Sequence, residues 1–190
     1  MIKPRKEVKI KRFSVDDYYK MVDAGILLEC PHEEILDGIL YEMPSSTPRK
    51  ASVTNRLNVF LLKTHDDKDF SIRLYQLIRL DDFNELEPDF VFLKKQENNY
   101  QKMRPTKNDV LLVMEISDES IEFDKNMKLP LYAKAGIKEA WLINLPQNLV
   151  ELHTNLSDDV YQTLKLFKLG ETIKSEFIPD LEIEVDKVLG

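Results

Sequence analysis

The sequence predicts an α/β domain built on a mixed sheet, with its core in the order helix, three strands, helix and strand. Apolar residues recur at helical spacing from about residue 49 to residue 63. Three strand-like segments follow, over residues 72–80, 90–93 and 109–116, and the last is apolar enough to be buried on both faces. A second helical segment over residues 122–135 and a strand over residues 139–144 complete this order.

Two smaller elements are expected before the core. Ser14 followed by Asp17 has the pattern of a capping box, which predicts a short helix ending near Gly25. Residues 34–42 place Asp37-Gly38 between two apolar segments, and this pair is the usual signal for a tight hairpin. Prolines at positions 44 and 48 then interrupt regular structure before the first core helix.

The second core helix contains a proline that needs an explanation. Pro130 would cost about 3 kcal/mol inside a regular helix, so we expect the helix to bend or restart there. Gly136 stands where a helix C-cap favours glycine. Beyond the strand at 139–144, residues 150–189 are predicted to form antiparallel strands, with a last helical turn over residues 185–189.

The composition is that of one soluble globular domain. The 190 residues are 43% hydrophobic and 32% charged, and a chain of this size buries roughly 70% of its unfolded surface. The longest aliphatic stretch, residues 110–114, is far shorter than the roughly 20 residues of a membrane helix. The single Cys30 cannot form a disulfide within the chain, and no signal peptide pattern follows the N-terminus. We therefore expect a cytoplasmic protein.

Charge is distributed unevenly along the chain. The net charge is −7, yet residues 1–12 hold six basic side chains and one acidic side chain. We predict a basic, flexible arm over residues 1–12 and a single domain over residues 13–190. Such an arm would contact phosphate groups or simply remain solvated. The acidic remainder argues against broad, non-specific binding to a nucleic-acid backbone.

Two carboxylates flank the apolar strands of the predicted core. If the second and third strands pair antiparallel, Asp89 at the start of one lies close to Glu115 at the end of the other. Two buried carboxylates repel each other unless a proton or a cation intervenes, and Mg²⁺ or Mn²⁺ suits oxygen ligands. Such an ion would polarise a phosphoryl oxygen and help generate hydroxide from water. Lys128, on the following helix, would supply the positive charge that the site requires.

Further motifs accompany these residues along the chain. They are Pro88-Asp89, Glu115-Ile116-Ser117, Asp124, Lys128, residues 129–133, Gly136 and Trp141, with residues 34–43 and 13–18 upstream. From Phe13 onward the chain resembles the restriction endonuclease family called Uma-two, of the PD-(D/E)XK nuclease superfamily. The resemblance implies a restriction endonuclease-like core with an extra N-terminal helix and hairpin and C-terminal antiparallel strands.

The resemblance also implies an activity and a set of site residues. Asp89 and Glu115 would be the metal carboxylates, Glu34 an additional acidic member of the site, and Lys128 the superfamily lysine moved from strand to helix. The implied function is an endonuclease that hydrolyses phosphodiester bonds in DNA with Mg²⁺ or Mn²⁺. A two-fold homodimer would cut both strands of a duplex most simply.

Two departures from the family pattern keep an alternative open. Lys50 stands where the family usually has a histidine, and Lys125 follows Asp124 where an arginine is common. The alternative is a catalytically degenerate nuclease fold that binds nucleic acid or a protein partner without cleavage. Asp124 and Lys128 would then form only a surface ion pair worth about 0.3 kcal/mol, and Glu34 would be exposed beside its hairpin.

The remaining chemically notable residues receive no catalytic assignment. The three histidines lack zinc-ligand spacing, and the single thiol has no activating neighbour in sequence; they are His32, His65, His153 and Cys30. Tyr132 and Trp141 are expected to be core residues. Since the chain has five glycines and no phosphate-binding glycine loop, nucleotide-driven chemistry has little support.

Overall fold

The computed structural model describes residues 9–28, 32–64, 69–97 and 99–190. Most of the basic arm, Cys30 and His65 lie outside the described residues. The helices are α1 (Val15–Asp23), α2 (Pro48–Thr64), α3 (Ile121–Phe123), α4 (Leu129–Lys134) and α5 (Val185–Leu189), and a π-helical segment (Asp124–Lys128) joins α3 to α4. The strands are β1 (Glu33–Leu36), β2 (Ile39–Glu42), β3 (Phe70–Leu74), β4 (Ile78–Asp81), β5 (Asn84–Leu86), β6 (Phe90–Lys94), β7 (Val110–Ser117), β8 (Ala140–Asn144), β9 (Leu149–Ser157), β10 (Val160–Lys168), β11 (Thr172–Lys174) and β12 (Glu182–Glu184).

The main sheet has six strands in the order β10-β9-β8-β7-β6-β3. Among the six described strands of this sheet, β7 and β8 form the one parallel pair, and the chain crosses between them through α3, the π-helical segment and α4. Residues of α2 and α5 pack on one face of this sheet, while α4 and strands of the smaller sheet pack on the other. The predicted mixed α/β class and the order of its core are confirmed.

A smaller sheet, in the order β2-β1-β5-β4, carries the N-terminal hairpin. Asp37 and Gly38 both have positive φ, as the predicted tight turn requires. A Cβ on Gly38 would lie 2.9 Å from the carbonyl oxygen of Phe13, so the close approach of the preceding segment also demands glycine. The hairpin presents Glu34 on β1, which forms part of the candidate site.

One strand prediction is wrong in extent. Residues 72–80 form two strands, β3 and β4, that belong to different sheets. The apolar alternation continues across the break, but Tyr75 has φ 50° and turns the chain from one sheet to the other. The short strand β5 was not predicted from the sequence, because its three residues carry too little pattern to be distinguished from a loop.

The second core helix restarts at its proline, as predicted. The Leu129 N–H donates to the carbonyl oxygen of Asp124, five residues earlier, which closes the π-helical turn. Pro130 is the second residue of α4, where a proline fits the first turn of a helix. Asp124 and Lys128 lie at the two ends of this π-helical segment, and both side chains are buried.

The C-terminal segment completes the core beside α2. Strands β11 and β12 pair antiparallel and precede α5, in agreement with the predicted strands and last helical turn. Glu139, directly before β8, is fully buried and accepts hydrogen bonds from Trp141 Nε1 (2.6 Å), Ser175 Oγ (3.0 Å) and the Glu176 N–H (2.9 Å). In the described parts of the chain, no helix is long and apolar enough to cross a membrane.

Candidate active site

The site begins with the pairing of two central strands. Strands β6 and β7 are antiparallel, with Phe90 opposite Met114, so Asp89 and Glu115 lie at the same end of the pair. Both carboxylates are buried. Asp89 Oδ2 accepts a hydrogen bond from the Ile116 N–H at 2.7 Å, which fixes this carboxylate against β7. The structure therefore brings the two acids together by the pairing expected from the sequence.

Lys128 joins the two sheets at this point. Its Nζ lies 2.8 Å from Glu34 Oε1 on β1 and 3.4 Å from Glu115 Oε1 on β7. The Lys128 and Glu34 side chains are 5% and 2% exposed, so neither a surface ion pair nor an exposed Glu34 describes them. All four residues assigned to the site in the sequence line one cleft: Glu34, Asp89, Glu115 and Lys128.

Asp124 is held by two hydroxyl groups rather than by Lys128. Ser117 Oγ and Ser120 Oγ both donate to Asp124 Oδ2, the latter at 2.7 Å. Ser117 follows Glu115 by two residues on β7 and so lies on the same face of the strand. Tyr132, predicted as a core residue and fully buried, donates its hydroxyl to Glu115 Oε1 at 2.6 Å.

Lys50 contributes a second cation that the sequence did not assign to the site. It lies in the first turn of α2, and its Nζ is 2.9 Å from Asp89 Oδ1. Thr47, just before this helix, accepts a hydrogen bond from the Lys50 N–H and donates to Asp118 Oδ2. Its position at the family's usual histidine was the signal that could have placed it here.

Two aromatic side chains at the cleft were also missed. His32 and Tyr75 line the cleft, and their ring centroids are 5.9 Å apart. His32 directly precedes β1 and has φ 63°, so strand alternation does not extend to it and no sequence signal places it at the cleft. Tyr75 directly follows β3, and its N–H donates to the Asp89 carbonyl oxygen at 3.3 Å. The cavity between these walls is about 80 Å³.

Burial and charge shift the pKa values within the cleft. Burial raises the pKa of Glu115 to about 8 against the opposing attraction of Lys128, and the negative charges of Asp124, Asp89 and Glu34 act in the same direction as burial. Burial also raises the pKa of Glu34, against the opposing attraction of Lys128. For Lys128, burial alone would lower the pKa, but the surrounding carboxylates outweigh burial and raise it. Lys128 therefore remains an ammonium group at neutral pH.

The donor set is chemically suited to a hard divalent cation. Five acidic side chains line the cleft against two lysines, so negative charge is in excess. Glu34 Oε2 is buried and has no hydrogen-bond partner among the described residues. Carboxylate oxygens are the ligands that Mg²⁺ and Mn²⁺ prefer. No three or more described His, Cys, Asp or Glu side chains are already arranged as a metal-binding group. The Lys50 ammonium contacts Asp89, and the Lys128 ammonium lies between Glu34 and Glu115.

Comparisons with known proteins agree with this architecture. A family model described as Uma2, putative restriction endonuclease, matches residues 15–186. The fold is similar to the crystal structure of a putative nuclease belonging to DUF820 from Anabaena variabilis ATCC 29413, with a TM-score of 0.70 and 14% sequence identity. That match covers 93% of this chain and 97% of the other chain. No curated protein matches the sequence.

Proposed function

Since the chain belongs to the Uma2 family of putative restriction endonucleases, we propose that it is a metal-dependent endonuclease that hydrolyses phosphodiester bonds in DNA. The observation that carries this proposal is the buried cluster at the end of β6 and β7. There Lys128 Nζ contacts Glu34 and Glu115, and Asp89 is fixed against the neighbouring strand. A buried excess of carboxylates is costly for stability, and such costs concentrate at functional sites.

The residues of the cleft divide the chemistry among them. Asp89 and Glu115 would hold Mg²⁺ or Mn²⁺, which supplies Lewis acidity toward a phosphoryl oxygen and lowers the pKa of water. Lys128 would stabilise negative charge developing on the phosphate. Glu34 Oε2, which has no hydrogen-bond partner within the described parts of the chain, would accept a hydrogen bond from the attacking water. Tyr132 holds Glu115 in place through its hydroxyl group.

The same electrostatics explain why a cation would be needed for binding. A phosphodiester is an anion, and the acidic walls of this cleft repel it. Since Lys50 and Lys128 are each paired with carboxylates of the cleft, their two charges alone do not offset this repulsion when a phosphodiester approaches. A bound divalent ion would reverse the sign of the local potential.

One contact favours a second candidate function, binding of nucleic acid without cleavage. The Lys50 ammonium lies 2.9 Å from Asp89 Oδ1 and so competes with any metal ion for that carboxylate. If a metal ion never displaces the Lys50 ammonium from Asp89, the protein has the fold of a nuclease but cannot carry out metal-dependent hydrolysis. Measurement of metal binding therefore distinguishes the two functions, because only the hydrolase requires a bound divalent ion.

The first test is cleavage of supercoiled plasmid with Mn²⁺. We expect product from the wild-type protein and a loss of at least about 100-fold in Asp89→Asn and Glu115→Gln, since outer-shell groups alone affect metal sites 10- to 100-fold. Glu119→Gln, an exposed acid four residues beyond Glu115, is the matched control and should retain full activity. Equal activity in all four proteins would exclude this cleft as the site.

Calorimetric titration with Mn²⁺ then distinguishes the second candidate. Saturable binding that is lost in Glu115→Gln supports the hydrolase. The non-cleaving function predicts a different result when DNA and Mn²⁺ are both added. The protein would then bind DNA, but it would neither bind Mn²⁺ nor cleave the DNA. The two-fold dimer and the cytoplasmic location remain predictions, the first of which light scattering would test.

A further inference from the structure

The mouth of the cleft is built from two aromatic rings. Tyr75 is 37% exposed, and the side chain of His32 is 53% exposed. Their rings meet edge to face, at an interplanar angle of 72°, so neither ring covers both faces of the other. Glu87 Oε2 lies 2.8 Å from His32 Nδ1, and this contact fixes the imidazole. The pair is therefore a positioned aromatic surface beside the acidic cluster.

Both residues have an unusual backbone conformation. His32 has φ 63° and Tyr75 has φ 50°, and both angles fall in the left-handed region that favours glycine. Bulky residues are held there only where the surrounding structure enforces it, and such positions cluster at ligand clamps and active sites. At Tyr75 this conformation ends β3 and brings the aromatic residue to the cleft. The turn itself would be formed more easily by glycine.

Tyr75 is anchored directly beside a site carboxylate. Its N–H donates to the carbonyl oxygen of Asp89 at 3.3 Å, as an extension of the pairing between β3 and β6. A planar group stacked on Tyr75 would have its adjoining substituent within reach of Asp89. For a nucleotide, that substituent is the sugar, which carries the phosphodiester.

The charges near the cleft make an extended duplex a poor ligand. Lys50 and Lys128 are engaged by carboxylates, and Arg49 donates to Leu145 O and Asn148 Oδ1 at 2.7 Å. Duplex binding depends on many free cations along the phosphate backbone. Stacking of bases on aromatic side chains supplies affinity that depends less on charge, and it requires bases that are not already paired and stacked.

We propose that the His32–Tyr75 pair stacks an unpaired nucleobase, so that the substrate class is single-stranded or locally unpaired nucleic acid. The proposal rests on the nuclease function and specifies its substrate. The stacked base stays at the mouth, and the adjoining phosphodiester extends toward Asp89 and Glu115. The small cavity behind the rings then has to accommodate only a phosphate group and water.

The test is fluorescence anisotropy with a labelled single-stranded oligodeoxynucleotide, in Ca²⁺ instead of Mg²⁺. We expect the single strand to bind more tightly than its duplex. Tyr75→Ala should weaken single-strand binding by about 5- to 150-fold, the range for loss of one stacked base, while Tyr75→Phe keeps the ring and the affinity. Phe83→Ala, which removes an exposed aromatic side chain outside the cleft, should change nothing.

A second probe reports stacking directly. A 2-aminopurine placed in the same strand should lose fluorescence on binding to the wild-type protein and not on binding to Tyr75→Ala. An abasic strand should bind the wild-type protein as weakly as the intact strand binds that variant. Unchanged affinity in Tyr75→Ala, or preference for the duplex, would overturn this inference while plasmid cleavage could still support the nuclease. If no nucleic acid binds or is cleaved, both proposals fall.

Discussion

Glu115 has its carboxyl group out of water at the centre of the main sheet, and burial raises its pKa to about 8. In the unfolded chain the same group has a pKa of about 4.5. Between these values the folded protein binds more protons than the unfolded chain. The free energy of unfolding must therefore decrease as pH rises from about 4.5 to about 8.

Replacing Glu115 with glutamine should remove this pH dependence. In EDTA, we expect the melting temperatures of Glu115→Gln and wild type to be similar at pH 5, and that of the variant to be higher by about 10 °C or more at pH 9. One pKa unit corresponds to about 1.4 kcal/mol, and 1 kcal/mol to about 2–4 °C for a domain of this size. Thermal melts monitored by circular dichroism across this range provide the measurement.

The Glu119→Gln variant is again the control, because its exposed carboxyl group should leave the pH profile unchanged. A constant difference between Glu115→Gln and wild type at every pH would show that the carboxyl group is not protonated on folding. Added Mn²⁺ should narrow the difference at high pH by stabilising the wild-type protein alone, since only the ionised site binds the metal.

At the residue scale, the sequence predicted the acids better than the groups around them. Asp89 and Glu115 could be predicted to lie close together, because antiparallel pairing puts the start of one apolar strand beside the end of the other. Three other residues of the cleft lie on elements that are distant in sequence: Lys50 on α2, His32 just before β1 of the smaller sheet, and Tyr75 in the turn after β3. No local sequence pattern predicts that these elements meet. Their positions follow from tertiary packing.

The π-helical segment is the element that orients the site. A π-helical turn amounts to one residue inserted into an α-helix, and here it lies between two buried polar side chains, Asp124 and Lys128. Asp124 contacts the hydroxyl groups of Ser117 and Ser120, and Lys128 contacts Glu34. The extra residue therefore sets the angle around the helix axis between these two side chains, and with it the face of the helix on which each one lies.

Deletion of Asn126 tests this geometry. The deletion should convert the segment to regular α-helix and rotate the residues before it by about 100° relative to those after it. Asp124 would leave its two serines, and we expect plasmid cleavage to fall at least about 10-fold in a protein that still folds. Asn126→Ala keeps the chain length and should retain activity. Circular dichroism checks the fold, and equal activity of both variants would contradict the assigned role.

At the scale of elements, the spacing of apolar residues predicted most helices and strands. It failed where two consecutive strands continue the same alternation of apolar and polar residues. The alternation over residues 72–80 is regular, yet the left-handed backbone at Tyr75 divides it between two sheets. Pro130 predicted that its helix restarts there, because proline has no backbone N–H and so removes a hydrogen bond from the interior of any helix. The π-helical turn before it has no sequence signal of comparable strength.

The whole molecule depends on its C-terminal segment. Buried apolar residues beyond β10 pack in the same core as α2; they are Ile173, Ile178, Leu181, Ile183, Val185 and Val188. Ser175 and Glu176 also supply hydrogen bonds to the buried Glu139. That residues 13–190 fold as one domain stays a prediction, and truncation of this segment tests it.

A chain that ends at Lys168 should therefore fail to fold cooperatively. It loses six buried apolar side chains and leaves Glu139 with fewer donors, and each of these effects typically costs 1–5 kcal/mol. Differential scanning calorimetry should show one transition for the full chain and none for the truncated chain. Two separate transitions in the full chain, or a normal transition after truncation, would indicate an independent C-terminal unit.

Trp141 gives the protein an internal optical reporter. It is the only tryptophan in the chain, it is 1% exposed, and it pairs with Met114 in the parallel centre of the main sheet. Selective excitation of this indole therefore monitors the sheet and nothing else. Emission should shift to the red when the strands separate. Events confined to the cleft mouth, such as loss of the Tyr75 ring, should leave the emission maximum unchanged, so one spectrum distinguishes a damaged binding surface from a damaged fold.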